Sequence, residues 1–169
     1  FEEAGLPDGL FHVLPGDAEP GAAVAEHPGI GVVSFTGSTA VGRKVGEAAG
    51  RTLKRVSLEL GGNNAIVVLD DANLDVASSA GAWGAFLHQG QVCMTAGRHI
   101  VLESVADQYI EKLAARARNL PVGDPFTDQV ALGPLINESQ LKNVDRIVSE
   151  TIAAGAELRA GGTHEGLFY

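Results

Sequence analysis

Ile30-Gly-Val-Val-Ser-Phe35, followed at once by Thr36-Gly-Ser-Thr-Ala-Val-Gly42, decides how this chain reads. The first six residues make a continuous apolar run, as expected of a strand covered on both faces. The next seven are rich in glycine and hydroxyl groups, and Ser38 or Thr39 is placed to cap a helix. In that helix Val41, Val45 and Ala48 share a face until Gly50 closes it. A strand, a glycine turn and a helix N-terminus in this order favour a bound anion. The first N–H groups of the helix lack partners, the helix dipole is positive there, and glycine lets a phosphate come close. The spacing Gly37-x-x-x-x-Gly42 is not the common Gly-x-Gly-x-x-Gly pattern of dinucleotide sites, so the same residues also read as a tight turn and helix cap alone.

Downstream, Lys54-Arg-Val-Ser-Leu-Glu-Leu60 alternates strictly, with Val56, Leu58 and Leu60 on one face and Ser57 and Glu59 on the other. Glu59 thus stands near the C-terminal end of a strand, where open α/β sheets bind ligands. By default a strand glutamate is simply solvated. Gly61-Gly62 breaks the run and makes a natural domain boundary. Ala65-Ile-Val-Val-Leu69 reads as a second buried strand, and Asp71 or Asn73 caps the helix after it. Val76, Ala80, Trp83 and Leu87 recur there at helical spacing, with Trp83 and Phe86 expected in the core.

That helix delivers Phe86-Leu-His-Gln-Gly-Gln-Val-Cys-Met-Thr-Ala-Gly-Arg98, which carries the only cysteine. A lone cysteine is by default a small buried hydrophobe. Cys93, however, lies just past a helix among glycines, where a reactive thiol finds room and free backbone N–H groups. His88 is a possible base for it, but nothing nearby orients its ring, so a packed or hydrogen-bonded histidine is expected.

Residues 1–29 read as loop, punctuated by Pro7, Pro15, Pro20 and Pro28, with a possible short strand at Leu10 to Leu14. His99 to Glu103 reads as a strand. Ser104 and Asp107 form a capping-box pattern for a helix bearing Ala106, Ile110, Leu113 and Ala117. A last helix from Asn137 buries Leu141, Val144, Val148 and Ile152 and stops at Gly155, before a further strand and a turn at Gly161-Gly162. Strands alternating with helices make the fold class α/β.

The composition excludes several functions. A net charge of −9, with scattered charges, disfavours nucleic acid and anionic membrane surfaces. One cysteine permits neither an internal disulfide nor a thiolate zinc cluster, and no metal site is expected. Residues 76–97 carry no formal charge, but they include two serines, His88, two glutamines and four glycines, too polar for hydrocarbon. A soluble, reducing, cytoplasmic setting is expected. Phe1 in place of a start methionine, and the extended run Gly166-Leu-Phe-Tyr169, lead to the expectation of an internal piece of a longer chain.

Five pieces now stand in order: Phe35-Thr-Gly-Ser-Thr39 with Gly42, Leu58-Glu-Leu-Gly-Gly62, Gly90-Gln-Val-Cys93, Pro121-Val-Gly-Asp-Pro125 and Leu132-Gly-Pro-Leu135. Together they resemble the aldehyde dehydrogenase superfamily, over essentially the whole chain. The resemblance implies the end of a Rossmann-type NAD(P)-binding domain over residues 1–61, followed by the first part of an α/β catalytic domain over residues 62–169. It makes Cys93 the nucleophile and Glu59 the base that activates water. NAD or NADP would be held by Gly37, Ser38, Thr39, Gly42, Leu60 and Gly61. It further implies a homodimer or homotetramer, with the remaining oxyanion and cofactor groups outside these 169 residues, so that the piece alone is expected to be inactive.

Chemistry supports the pairing of thiol and carboxylate. Hydride leaves only a tetrahedral, electron-rich carbon, so a covalent nucleophile must add first, and the resulting thioester then needs an activated water. Relatives that pass the acyl group to coenzyme A generally lack this glutamate. Two departures from the family's habit stand out: Asn63-Asn64 follows Gly61-Gly62, where lysine is common at the first position, and His88 occupies a common asparagine position. With Cys93-Met-Thr-Ala-Gly-Arg98, these resemble the branch that oxidises benzaldehyde or vanillin. The alternatives are the same chemistry on an aliphatic aldehyde or semialdehyde, and a silent binding relative, which would need neither Cys93 nor Glu59.

Overall fold

The computed structural model describes residues 1–169, with side chains at every position except Glu2. The chain divides into two compact units, Phe1–Gly61 and Gly62–Tyr169.

In the first unit, β1 (Val32–Gly37) and β2 (Arg55–Leu60) pair in parallel, with Val32 opposite Arg55 and Gly37 opposite Leu60. Between them runs α2 (Thr39–Arg51), capped by Ser38, whose Oγ accepts from the Val41 N–H. A parallel pair requires such a crossover. Residues 1–29 are not all loop, because α1 spans Ala18–Glu26. Pro20, which read as punctuation, sits in its first turn, where a missing N–H costs nothing. Lys54 closes the other end of α1, its Nζ donating to the carbonyls of Ala25 and His27 at 2.6 and 2.7 Å. The expected strand at Leu10–Leu14 does not form, since these residues find no pairing partner and stay exposed. β1 is covered on one face only: alternate residues are half-buried, while Val32 is 61% exposed.

In the second unit, β3 (Ala65–Val68) and β4 (Arg98–Val101) also pair in parallel, from Ala65 opposite Arg98 to Val68 opposite Val101. α3 (Leu74–Phe86) crosses between them, capped by Asn73. It is followed by a 3₁₀ turn, Leu87–Gly90. α4 (Glu103–Arg118) and α5 (Glu138–Ala153) complete the unit, the latter capped by Asn137.

α3 packs on α4 through the face opposite to the one its apolar spacing suggests. Buried on it are Ser78 and Gly81, whereas Val76 and Trp83 are 65% and 59% exposed. Small residues let the two helices approach, and Arg116 of α4 fastens them by donating to Ser78 Oγ and to the Asp75 carbonyl. The apolar stripe is left without a cover among the described residues. Nor does the capping box at Ser104 and Asp107 form. The Leu102 N–H still donates to Val68 on the sheet, so the helix starts directly at Glu103 with no side-chain cap. After Gly155, whose φ is +102°, residues 156–159 form no strand. No helix is long and apolar enough to cross a membrane.

Candidate active site

Cys93 is exposed, on a turn closed by the Thr95 N–H donating to the Val92 carbonyl. The loop behind it is bound on two sides. Thr95 Oγ1 and the Ala96 N–H both donate to the Gly84 carbonyl of α3, at 3.2 and 2.9 Å. On the other side Asn64 donates to the Thr95 carbonyl and Arg98 to the Asn64 carbonyl, while Asn63 Oδ1 accepts from the Gly97 N–H at 2.9 Å. Among the described residues, the Cys93 and Met94 N–H groups donate to nothing. The turn that carries the thiol thus leaves two N–H donors without a partner, the type of group that can meet a developing oxyanion.

Further support comes from below. His99 Nε2 contacts the Ala96 carbonyl at 2.9 Å, and His99 Nδ1 contacts Tyr109 Oη at 2.8 Å. The carbonyl can only accept, so Nε2 carries the proton and Tyr109 donates to Nδ1. Burial pushes the Tyr109 phenol up, which keeps it a neutral donor. A Cβ at Gly81 would overlap Tyr109 Oη and lie 2.9 Å from His99 Cε1, so glycine is required there by close approach.

His88 is not the packed histidine expected: it is exposed, at φ +49°, and its ring makes no hydrogen bond among the described residues. Gln89, also left-handed at φ +57°, donates to the Gly133 and Pro134 carbonyls and so ties the 3₁₀ turn to the Leu132-Gly-Pro-Leu135 segment. Trp83, Phe86, Leu87 and His88 line an open groove of about 740 Å³ with Leu120 and Leu132. Cys93 is not among its lining residues.

In the first unit, Glu59 lies opposite Thr36 one residue before the end of β2, exposed and free of hydrogen bonds or ion pairs among the described residues. Leu60 pairs with Gly37, and its side chain lies over the start of α2, where a Cβ at Gly42 would stand 2.5 Å from Leu60 Cδ2. A Cβ at Gly37 would likewise stand 2.5 Å from the Phe35 ring. Ser38 serves two donors, its Oγ facing the Val41 N–H and its carbonyl the Gly42 N–H. The Thr39 and Ala40 N–H groups remain unpartnered among the described residues. Gly37, Ser38, Thr39, Gly42 and Leu60 are therefore brought together, with Gly61 next in the chain. Two free donors at the N-terminus of a thirteen-residue helix fit a phosphate. Among the described residues no cluster suits a metal ion.

Sequence reading did not assign Asn63, Gly84, His99 or Tyr109 to the site. Asn63 alone carried a signal, as a departure from a common lysine.

This α/β chain, with its glycine turn and glycine-flanked exposed thiol, matches the aldehyde dehydrogenase family over residues 1–169, and it belongs to that family. It is 59% identical over its whole length to vanillin dehydrogenase of Amycolatopsis sp. and, equally, to benzaldehyde dehydrogenase [NAD(+)] of Pseudomonas putida. Among solved structures it resembles an NAD-dependent benzaldehyde dehydrogenase from Corynebacterium glutamicum, with a TM-score of 0.89 and 44% identity over 99% of this chain and 37% of that one. The chain spans 35% of the length of the two curated relatives.

Proposed function

We propose that this chain carries the catalytic pair of an NAD-dependent dehydrogenase that oxidises aromatic aldehydes to carboxylic acids. The observation that carries the reading is an exposed Cys93 on a fastened turn whose own N–H, and that of Met94, are free. The Cys93 thiolate adds to the aldehyde carbon, and the oxygen takes the electron pair and is met by the Cys93 N–H. A bound NAD supplies the acceptor for the hydride. Loss of hydride leaves an acyl thioester on Cys93. Glu59 takes a proton from water, which attacks that thioester and releases the carboxylate and the thiol.

The free N–H groups of Thr39 and Ala40, and the glycines at 37 and 42, suit the cofactor pyrophosphate, with Ser38, Thr39, Leu60 and Gly61 beside it. NAD rather than NADP is supported by the name of the Pseudomonas putida relative, and an aromatic substrate by the names of both relatives at 59% identity. A cytoplasmic setting suits a free nucleophilic thiol, and assembly as a homodimer or homotetramer belongs to the same reading. Because the chain spans 35% of these relatives, the activity is proposed for the whole protein, and the 169 residues alone are expected to reduce no NAD.

The test uses the full-length reading frame with NAD and NADP against benzaldehyde, vanillin and aliphatic aldehydes. Cys93→Ser should abolish turnover. Glu59→Gln should give one burst of NADH and then stall at the thioester. Steady turnover by Glu59→Gln would remove Glu59 from the mechanism, and preference for aliphatic aldehydes would replace the aromatic substrate.

A further inference from the structure

Of the four N–H groups between Thr95 and Arg98, three are held by main-chain carbonyls: Thr95 by Val92, Ala96 by Gly84 and Arg98 by Asn64. Such bonds hardly depend on side-chain identity. The fourth, Gly97, is held by a side chain, Asn63 Oδ1 at 2.9 Å. Gly97 is also shaped around that side chain, since a Cβ there would stand 2.7 Å from the same Oδ1. Asn63 in turn follows Gly62, where a Cβ would stand 3.5 Å from the Cys93 carbonyl, so the main chain at 62–64 runs directly beside the thiol-bearing turn.

We infer that Asn63 is the positioning residue of the Cys93 turn: its side-chain carbonyl holds the Gly97 N–H and fixes the segment that presents the thiol and the free N–H groups of Cys93 and Met94. The inference rests on the catalytic reading of Cys93 and adds a residue that acts through the turn. Asn63 is exposed, so the bond adds little to the fold as a whole. Its effect is on loop geometry, and a hydrogen bond that aligns a nucleophile is felt in the rate rather than in substrate binding.

The experiment compares Asn63→Ala, Asn63→Lys, Asn63→Asp, Gly97→Ala and the Asn63→Ala/Gly97→Ala pair in the full-length protein. The readouts are amide hydrogen exchange of the peptide over residues 92–98 and the kinetics of aldehyde oxidation. Alanine and lysine offer no acceptor. Both should speed exchange and lower kcat by roughly tenfold, about what one lost hydrogen bond corresponds to, with KM for the aldehyde little changed. Aspartate keeps an acceptor and should restore both. Gly97→Ala should reproduce Asn63→Ala by displacing the amide, and should add nothing once Asn63 is already alanine, because the obstructing atom is gone. Unchanged exchange in Asn63→Ala, or a double variant equal to the sum of the singles, overturns the inference. Turnover by Cys93→Ser would instead overturn the catalytic reading, and the exchange results would still decide what Asn63 does.

Discussion

The turn at Gly37–Gly42 and the loop at Cys93 are both short, glycine-rich and next to a helix, yet they are held in opposite ways. The first is local. Ser38 satisfies the N–H groups of Val41 and Gly42, three and four residues on. The second is assembled from afar: Thr95 reaches Gly84 across 11 residues and Gly97 reaches Asn63 across 34. A local device needs only its own residues in the right order. A long-range one needs a folded partner, so damage to packing anywhere beneath it should reach the thiol.

Gly81→Ala tests this dependence with the largest expected effect. Its methyl group would overlap Tyr109 Oη, the donor that holds the His99 ring under Ala96. Overpacking of this kind costs about 1–3 kcal/mol, so thermal unfolding should begin well below that of the parent. The burst rate at Cys93 should fall with it while NAD affinity holds. Equal losses of NAD affinity would mean that the two regions are not independent.

Gly42→Ala attacks the local device. The new methyl group would press on Leu60 and tilt the start of α2, although alanine itself favours helix. KM for NAD should rise by roughly tenfold with the alkylation rate of Cys93 unchanged, the pattern of lost uniform binding. Ser38→Ala is gentler, removing one cap acceptor and about 1 kcal/mol of helix stability, measurable by denaturant unfolding.

The same contrast explains how much was legible in the sequence. Ser38 and Asn73 were readable as cap candidates, beside Thr39 and Asp71, because a cap acts within three residues, and the strict alternation at Lys54–Leu60 located β2 and the outward face of Glu59. Strands alternating with helices marked the α/β class, and the parallel pairing of β1 with β2 and of β3 with β4 agrees with it. What failed depended on partners far away. Trp83 and Val76 have the spacing of a buried face, but α4 docks on Ser78 and Gly81 instead, because Arg116 and Tyr109 need small neighbours there. The Ser104–Asp107 cap lost to the sheet bond of Leu102, and Leu10–Leu14 had β composition but no strand to pair with. Cys93 stood out among its glycines as a candidate and is exposed, whereas Asn63 was visible only as an unexplained asparagine.

The smallest expected effect concerns the seam between α3 and α4. Lys112 donates to the Asp75 carboxylate across it, and this bond, then the lysine charge, hold the Asp75 carboxyl below its ordinary value of 3.8. Asp75 also lies in the first turn of α3, where a negative charge suits the helix dipole. A carboxyl with a depressed folded pKa binds fewer protons folded than unfolded. It therefore adds stability above the unfolded value and loses it as pH falls through the folded one. The pair is exposed and screened by salt, so the gain is slight. Lys112→Ala should lower the melting temperature slightly near neutral pH and at low ionic strength. The gap to the parent should close as the pH drops below 3.8 or salt is added. A gap that persists in acid would assign the role of Lys112 to packing of its alkyl stem along the groove beside Trp83 rather than to its charge.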